Sequence, residues 1–512
     1  MAGAFLEKKQ LGVWSLSFIG LTAMLGSGWL LASYYVFKTA GNLSSVAWVA
    51  GFLMVLVIAF SFAETCSLVD RDGSTVILPR LSHGYFLSAV FGFFGLLSWV
   101  ALIPIEVAAT LQYLTYFVHG IYSHPGQLTY FGEGLGIILV ILIALINTFS
   151  MVWIKKLNNH LFTPLKIGIP ILIITASLWH AHHLTAPLVV IHAPLKAIFL
   201  ALPVGVVFSF NGFKSICVIA GRASNPQKTI TRALLIALIT CLALYIGLQY
   251  AFNLNATAAV LADSHSPYAT ILAHSTIMIV LLYIGAISSP FTANIFNLNA
   301  ANACCYRMAK FGYLPKVFTK TNSHHQYIIA ALFNMVIGII LILNSHRWDT
   351  MVQKLTCIMI ITYAAAPIAQ VVFRDQFKQM KRPVLFKGGK WIGRLGFILS
   401  NIMIFWCGFS AVKLAFICLC AVSAWVIIYY IASKQSAQIS LLRSLWIFIW
   451  LGLICVIDYF SGFGGINKIT HPQAIGLIVL LSIAIMFCFE RCALSVTQAN
   501  QYLKDIEKTT LD

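Results

Sequence analysis

The chain has 512 residues, 60% of them hydrophobic and only 9% charged, with a mean hydropathy of +0.89. That much apolar surface excludes a soluble domain, and continuous runs near the ~20 residues needed to cross a bilayer exclude an outer-membrane barrel. The fold class is an all-α polytopic membrane protein, so the formal charge of +19 is read as topology and no nucleic-acid partner is expected.

Glu7, Lys8 and Lys9 precede an apolar run too long for a cleaved signal peptide. Fourteen spans are expected, near 11–37, 43–63, 86–118, 135–154, 161–179, 195–220, 231–252, 268–303, 327–343, 350–373, 395–412, 414–432, 441–459 and 473–490. With the N-terminus inside, 25 of the 33 basic residues fall on the inner side, six on the outer, and two, Lys166 and Lys214, within spans. The positive-inside rule then puts both termini in the cytoplasm. Most of the twelve cysteines lie in apolar runs without metal or disulfide spacing, Cys304-Cys305 being adjacent, and read as packing residues.

Span 1 is interrupted near its middle by Gly26-Ser27-Gly28, followed by Trp29. Small residues let helices pack closely; equally, a broken helix at membrane depth exposes N–H and C=O groups to substrates and ions. Span 2 ends at Glu64 and leads into a cytoplasmic loop, 70–80. Span 3 holds Pro104-Ile105-Glu106, and a carboxylate there must face the bundle interior or water, as a substrate or proton contact or as half of an ion pair. Span 5 carries Thr163, Pro164 and Lys166; an inward Lys166 is a candidate proton carrier. The histidines after it, His180, His182, His183 and His192, have no carboxylate or cysteine partner and read as solvated loop residues.

Span 6 has a second mid-span interruption, Phe208-Ser209-Phe210-Asn211-Gly212-Phe213, and Lys214 directly after it is too central to snorkel. Span 8 is long and polar, with Ser288, Ser289, Thr292, Asn294, Asn297, Asn299 and Asn302, amides and hydroxyls that either glue helices or line a pathway. Broken spans 1 and 6 and long spans 3 and 8 hold the same places in two blocks of five, the second inverted by the odd span number. That is the pattern of an inverted repeat with a midplane site between spans 1 and 6. Spans 11 to 14 carry few internal polar groups and read as scaffold.

These residues resemble the amino acid–polyamine–organocation transporters, which share a broken-helix core with the neurotransmitter–sodium symporters. The likeness runs through residues 10–375: the Gly26-Ser27-Gly28 break, the aromatic break at 208–213, the Asn225-Pro226 turn, and Arg307 followed by Met308-Ala309-Lys310-Phe311-Gly312-Tyr313-Leu314-Pro315 after span 8. It implies that a substrate α-carboxylate meets N–H groups around Ser27 and Gly28 and its α-ammonium meets carbonyls near Phe208 and Phe210. It also implies that Phe208 is an aromatic lid and that Lys166 replaces a sodium site. Half-helix ends favour the same polarity on physical grounds. This chain departs from the arginine/agmatine antiporters, which have a glutamate where Lys214 stands; the acidic residues that often precede the asparagine-proline turn are absent too, with Arg222 nearby.

The expected organisation is a transport core at 1–375 (repeat one about 10–180, repeat two about 195–375), a basic cytoplasmic loop at 376–394, accessory spans at 395–490 and a cytoplasmic tail at 491–512. The expected function is secondary active transport of an amino acid, neutral or acidic rather than cationic, by proton symport or exchange in a bacterial inner membrane. Alternatives are an amino acid sensor on the same fold, or a polyamine or cationic amino acid antiporter. The expected site comprises Gly26, Ser27, Gly28, Trp29, Phe208, Ser209, Phe210, Asn211 and Gly212, with Lys166, Lys214, Glu106, Ser288, Ser289 and Asn294 in coupling or gating. The partners are the amino acid, protons and the lipid bilayer. No catalytic residue, metal or cofactor is expected, for the chain has no phosphate-binding loop and no clustered catalytic groups.

Overall fold

The computed structural model describes residues 11–69, 74–124, 126–149, 157–218, 223, 225–262, 265–324, 326–344, 347–380, 382–432 and 441–511. Lys8, Lys9, the 70–73 part of the first loop, Lys155, Lys156, Arg222 and Lys434 lie outside them. Hydrocarbon supplies no hydrogen-bond partners, so an apolar chain satisfies its backbone within helices. The elements follow that rule almost throughout.

The first run forms two helices, α1 (Val13–Met24) and α2 (Gly28–Ala40), parted by Leu25-Gly26-Ser27. Then come α3 (Ser44–Val69), α4 (Ser74–His83), α5 (Tyr85–Val100) and α6 (Leu102–Leu114). Helices α5 and α6 meet at Ala101, where Pro104 withholds the N–H that Val100 would receive and crowds its carbonyl. A small antiparallel hairpin, β1 (Tyr122–His124) and β2 (Gln127–Leu128), precedes α7 (Tyr130–Ile146). A π-helical turn at Asn158–Phe162 opens into α8 (Thr163–His182). The second broken run gives α9 (Lys196–Ser209) and α10 (Phe213–Val218), with Phe210-Asn211-Gly212 between them.

Next are α11 (Pro226–Asn253), the short α12 (Ala258–Ala262) and α13 (Pro267–Ile271), and the long α14 (Thr276–Lys310). α15 (Ile328–Leu343) is followed by α16 (Trp348–Tyr363) and α17 (Ala365–Gln376), which hinge at Ala364 just ahead of Pro367. The remainder is α18 (Gly389–Trp406), α19 (Phe409–Ala432), α20 (Trp446–Phe460), α21 (His471–Cys492) and α22 (Val496–Leu511). Among the described residues, eight helices are long and apolar enough to cross a membrane, and five shorter apolar helices accompany them. The chain is a multi-pass integral membrane protein.

Packing brings the two interruptions to the centre. α1 lies against α10 and α11, α2 against the second half of α9, α14 against α5 and α6, and α16 against α5 and α9. The later helices attach from outside: α18 on α3 and α17, α19 on α16, α21 on α18 and α20, and α22 on α4.

Two sequence expectations need correction. The eighth span begins at Thr276, not near 268, because Ser275 caps it by accepting the Met278 N–H, and residues 267–271 form α13 separately. The stretch read as a loop at 70–80 is helical from Ser74, and α4 is buried along its length between neighbouring helices. Within 491–512, α22 is an amphipathic helix that buries Ala499 and Ile506. Three of the later helices, α18, α20 and α21, are tied by a buried polar chain, since Trp450 Nε1 donates to Asn401 Oδ1 at 2.8 Å and Asn401 Nδ2 to Ser482 Oγ at 2.8 Å.

Candidate functional site

The two interruptions touch. Gly212 lies against the backbone of Ala23 and Met24, and Gly28 against Ser209, so closely that a Cβ at either would collide. Gly26 has no room either, because the Glu106 carboxylate occupies the space a side chain would need. The glycines of both breaks are therefore packing requirements as well as helix breakers.

Each half-helix end of the first break meets a charge of the complementary sign. At the start of α2, the Ser27 N–H donates to Glu106 Oε2 at 2.7 Å. At the end of α1, Lys166 Nζ donates to Thr22 O at 3.0 Å. An anion at a helix N-terminus and a cation at a C-terminus are the favourable pairing. Both side chains come from helices packed around the break, Glu106 on α6 and Lys166 on α8, and both are buried. Of the first N–H groups of α2, those of Leu30 and Leu31 donate to Ser27 O, whereas Gly28 and Trp29 have no intrahelical acceptor by geometry.

Hydroxyl and indole groups hold the rest of the break. Ser289 Oγ on α14 donates toward Leu25 O (2.6 Å) and Gly26 O (3.3 Å), and accepts from Trp29 Nε1 at 3.2 Å. Tyr245 on α11 places its hydroxyl 2.9 Å from Met24 O and 3.0 Å from Ser209 O, bridging the two interruptions. Thr22 and Thr163 share a hydrogen bond of 2.7 Å beside Lys166. On the other side, Trp348 Nε1 donates to Ser27 Oγ at 3.2 Å. Phe208 meets the Trp348 ring edge-on and Tyr35 stacks on it, each at 5.5 Å between centroids, so a buried aromatic layer closes over Ser27.

The other sequence-predicted residues are placed as follows. Asn211 Oδ1 accepts from the Tyr363 hydroxyl at 2.8 Å. The carbonyls of Phe208 and Phe210 accept turn hydrogen bonds from Asn211 and Phe213. Asn294 Nδ2 donates to Ile103 O at 3.1 Å, fastening α14 to α6 one turn before Glu106. Ser288 is only half-buried and its carbonyl accepts from Thr292. Lys214 is buried below the second break, beside Ser98, Trp99 and Tyr363, and not against Glu106. Among the outer histidines, His180 is not simply solvated: it stacks on His274 at 4.5 Å and bonds Asn255. Among the described residues no group of three or more His, Cys, Asp or Glu is placed to hold a metal.

Sequence reading missed Tyr245, Trp348 and Tyr363. Tyr245 and Tyr363 lie in apolar runs where aromatic residues are ordinary, and Trp348 falls between Arg347 and Asp349, outside the expected span at 350–373. Thr22, four residues before Gly26, was legible only as part of the broken segment.

Comparison with known proteins fits this geometry. The family described as Amino acid permease matches residues 11–431. The glutamate/serine transporter AimA of Bacillus subtilis (strain 168) is 29% identical over 527 residues, covering 98% of this chain and 96% of the relative. The aspartate-proton symporter of the same organism is 27% identical, covering 94% and 96%, and its serine/threonine exchanger SteT is 24% identical, covering 73% and 85%. In fold, the chain is similar to a mutant of the manganese transporter of Eremococcus coleocola. The TM-score there is 0.51 at 14% identity, over 94% of this chain and 96% of that one.

Proposed function

The chain belongs to the amino acid permease family, and from that premise we propose that it is a secondary active amino acid transporter working by alternating access around the paired breaks. In this reading the first ten spans form a five-plus-five inverted repeat within 1–375, the last four are accessory, and both termini face the cytoplasm of a bacterial cell. The substrate α-carboxylate binds N–H groups at the start of α2, and its α-ammonium binds carbonyls at the open end of α9. The reading includes the aspartate-proton symporter's mode of coupling, since that relative is a proton symporter by name. A buried Lys214 makes cationic substrates and polyamines unfavourable by charge repulsion.

One observation carries the proposal: Glu106 holds the Ser27 N–H at 2.7 Å, the donor assigned to the substrate. Two carboxylates crowded onto that N–H repel strongly in a low dielectric, so substrate entry is coupled to protonation or withdrawal of Glu106. Lys166, on Thr22 O at 3.0 Å, is the cation on the other end of the same break. Substrate binding and proton movement are then two effects of one turn of backbone.

Uptake into proteoliposomes of purified protein tests the proposal. Labelled amino acids and polyamines are each offered with and without an inward proton gradient, a sodium gradient and internal amino acid. Saturable amino acid uptake stimulated by protons or by internal substrate, and indifferent to sodium, is the expected result. Sodium-driven uptake would remove the role given to Lys166, and proton-driven polyamine uptake would reverse the assignment of substrate charge.

A further inference from the structure

Lys214 stands on α10 two residues beyond Gly212, where the second break ends, and only 2% of it is exposed. Its ammonium lies 4.3 Å from the centre of the Trp99 ring and 5.5 Å from that of Tyr363, with Ser98 Oγ at 3.4 Å as its hydrogen-bond acceptor. Among the described residues no carboxylate pairs with it: Glu106 is committed to Ser27, and Glu64 to Arg374 and Arg382. A lysine has three donors, and a buried charge is ordinarily paired. One long hydroxyl contact and two ring faces leave that requirement open, although the aromatic faces stabilise the ammonium while nothing else is bound. An intramembrane cation in this condition marks a functional position.

The surroundings connect it to the substrate segment. Tyr363, whose ring faces the ammonium, sends its hydroxyl to Asn211 Oδ1 within the break at 2.8 Å. Phe213 packs on the same ring, with 5.1 Å between centroids. Lys214 is thus one side chain away from residues 208–212, on the opposite side from the Trp348–Phe208 aromatic layer.

We propose that Lys214 is a specificity-determining residue that receives the side-chain carboxylate of an acidic amino acid whose α-groups sit on the two breaks. The proposal rests on the amino acid transport reading and narrows it to a substrate class. An incoming side-chain carboxylate completes the ion pair that Lys214 lacks; a side-chain amide of the same shape supplies only a neutral hydrogen bond; a cationic side chain meets like charge. Selection then comes from one charge at one position.

Aspartate against asparagine, and glutamate against glutamine, vary that charge at nearly constant shape. Inhibition constants for the four are measured against a labelled substrate on wild type, Lys214→Arg, Lys214→Gln and Lys214→Met. The expected wild-type preference for each acid over its amide is roughly tenfold or more, as for a charge-assisted over a neutral bond. Lys214→Arg keeps the preference, and Lys214→Gln and Lys214→Met bring it to about one. The methionine variant, matched to the lysine stem, serves if the glutamine variant does not fold. A wild type that binds amino acids without preferring the acid overturns the proposal, as does an uncharged variant that keeps the wild-type ratio. A wild type that binds no amino acid at all instead overturns the transport reading itself.

Discussion

Replacing Glu106 with glutamine keeps the shape of the side chain and removes its charge. The carboxylate accepts the Ser27 N–H at 2.7 Å and is buried to 3% exposure, so the change acts on a charge-assisted bond shielded from water. Such bonds contribute roughly 1.5–3 kcal/mol and neutral ones about 1, so glutamine loosens the hold on that N–H by about 1 kcal/mol. It also removes the repulsion met by an incoming carboxylate, roughly 4 kcal/mol for two charges 4 Å apart at an effective dielectric of 20. If substrate entry is coupled to Glu106 as proposed, its protonation or withdrawal relieves most of that repulsion in the wild type. What glutamine returns is then about 1–2 kcal/mol, a Kd about five- to thirtyfold lower near neutral pH. Binding in wild type strengthens as pH falls, whereas Glu106→Gln binds with an affinity insensitive to pH. In proteoliposomes the variant exchanges amino acids but does not accumulate them against a proton gradient. Equilibrium binding across mildly acid to mildly alkaline pH, paired with proton-driven uptake, checks both halves. A glutamine variant with wild-type pH dependence, or with intact proton-driven accumulation, would refute the competition for Ser27.

Three further predictions concern other residues. Lys166→Ala, which removes the donor to Thr22 O, abolishes the response of uptake to a pH gradient; a variant that keeps proton-driven uptake rejects Lys166 as part of the coupling. The buried Glu64 accepts Arg374 Nε at 2.6 Å and Nη2 at 2.7 Å, with Arg382 at 3.4 Å, tying α3 to α17 and to the approach to α18. Glu64→Ala should cost about 3 kcal/mol in thermal denaturation, and combining it with Arg374→Ala should cost less than the sum, since the partner's unpaired charge goes too. A fully additive cycle would contradict that coupling. His83 on α4 bonds Phe489 O at 3.0 Å, and burial lowers its imidazole to about 4. The unfolded chain thus binds a proton that the folded protein refuses between about 6.5 and about 4, so stability falls as pH drops through that window, by up to about 3 kcal/mol. His83→Gln should flatten this dependence in thermal unfolding; an equally steep loss in the variant would exclude His83 as the cause.

The breaks were readable because Gly26-Ser27-Gly28 and Asn211-Gly212 violate helix propensity where hydrocarbon penalises it most. Glu106, Lys166 and Lys214 were readable for a similar reason, as charges in apolar runs. Their partners were not. Nothing local tells that Glu106 binds Ser27 backbone while Lys214 faces Trp99, because both contacts join residues far apart in the chain. Tyr245 stayed hidden because an aromatic residue in a membrane helix is unexceptional until its hydroxyl is seen to bridge two breaks, and Trp348 because it stands between Arg347 and Asp349 outside the expected span yet donates to Ser27 Oγ. The start of α14 was misread because apolar residues run through Ile271 and Leu272 into the next helix, which masks the Ser275 cap. Helix α4 was hidden behind the charged 70–73 stretch and Pro79, which together resemble a loop.

The central claim is that one amino acid site at the paired breaks opens alternately to each side, and counterflow measures this most directly. Proteoliposomes loaded with unlabelled amino acid are diluted into a trace of the labelled compound, with all ion gradients collapsed. The account predicts transient, saturable accumulation of label for acidic or neutral amino acids, suppressed by Gly212→Leu, which fills the contact between the breaks. Absence of counterflow for every amino acid tested, from protein that is folded and reconstituted, would contradict it.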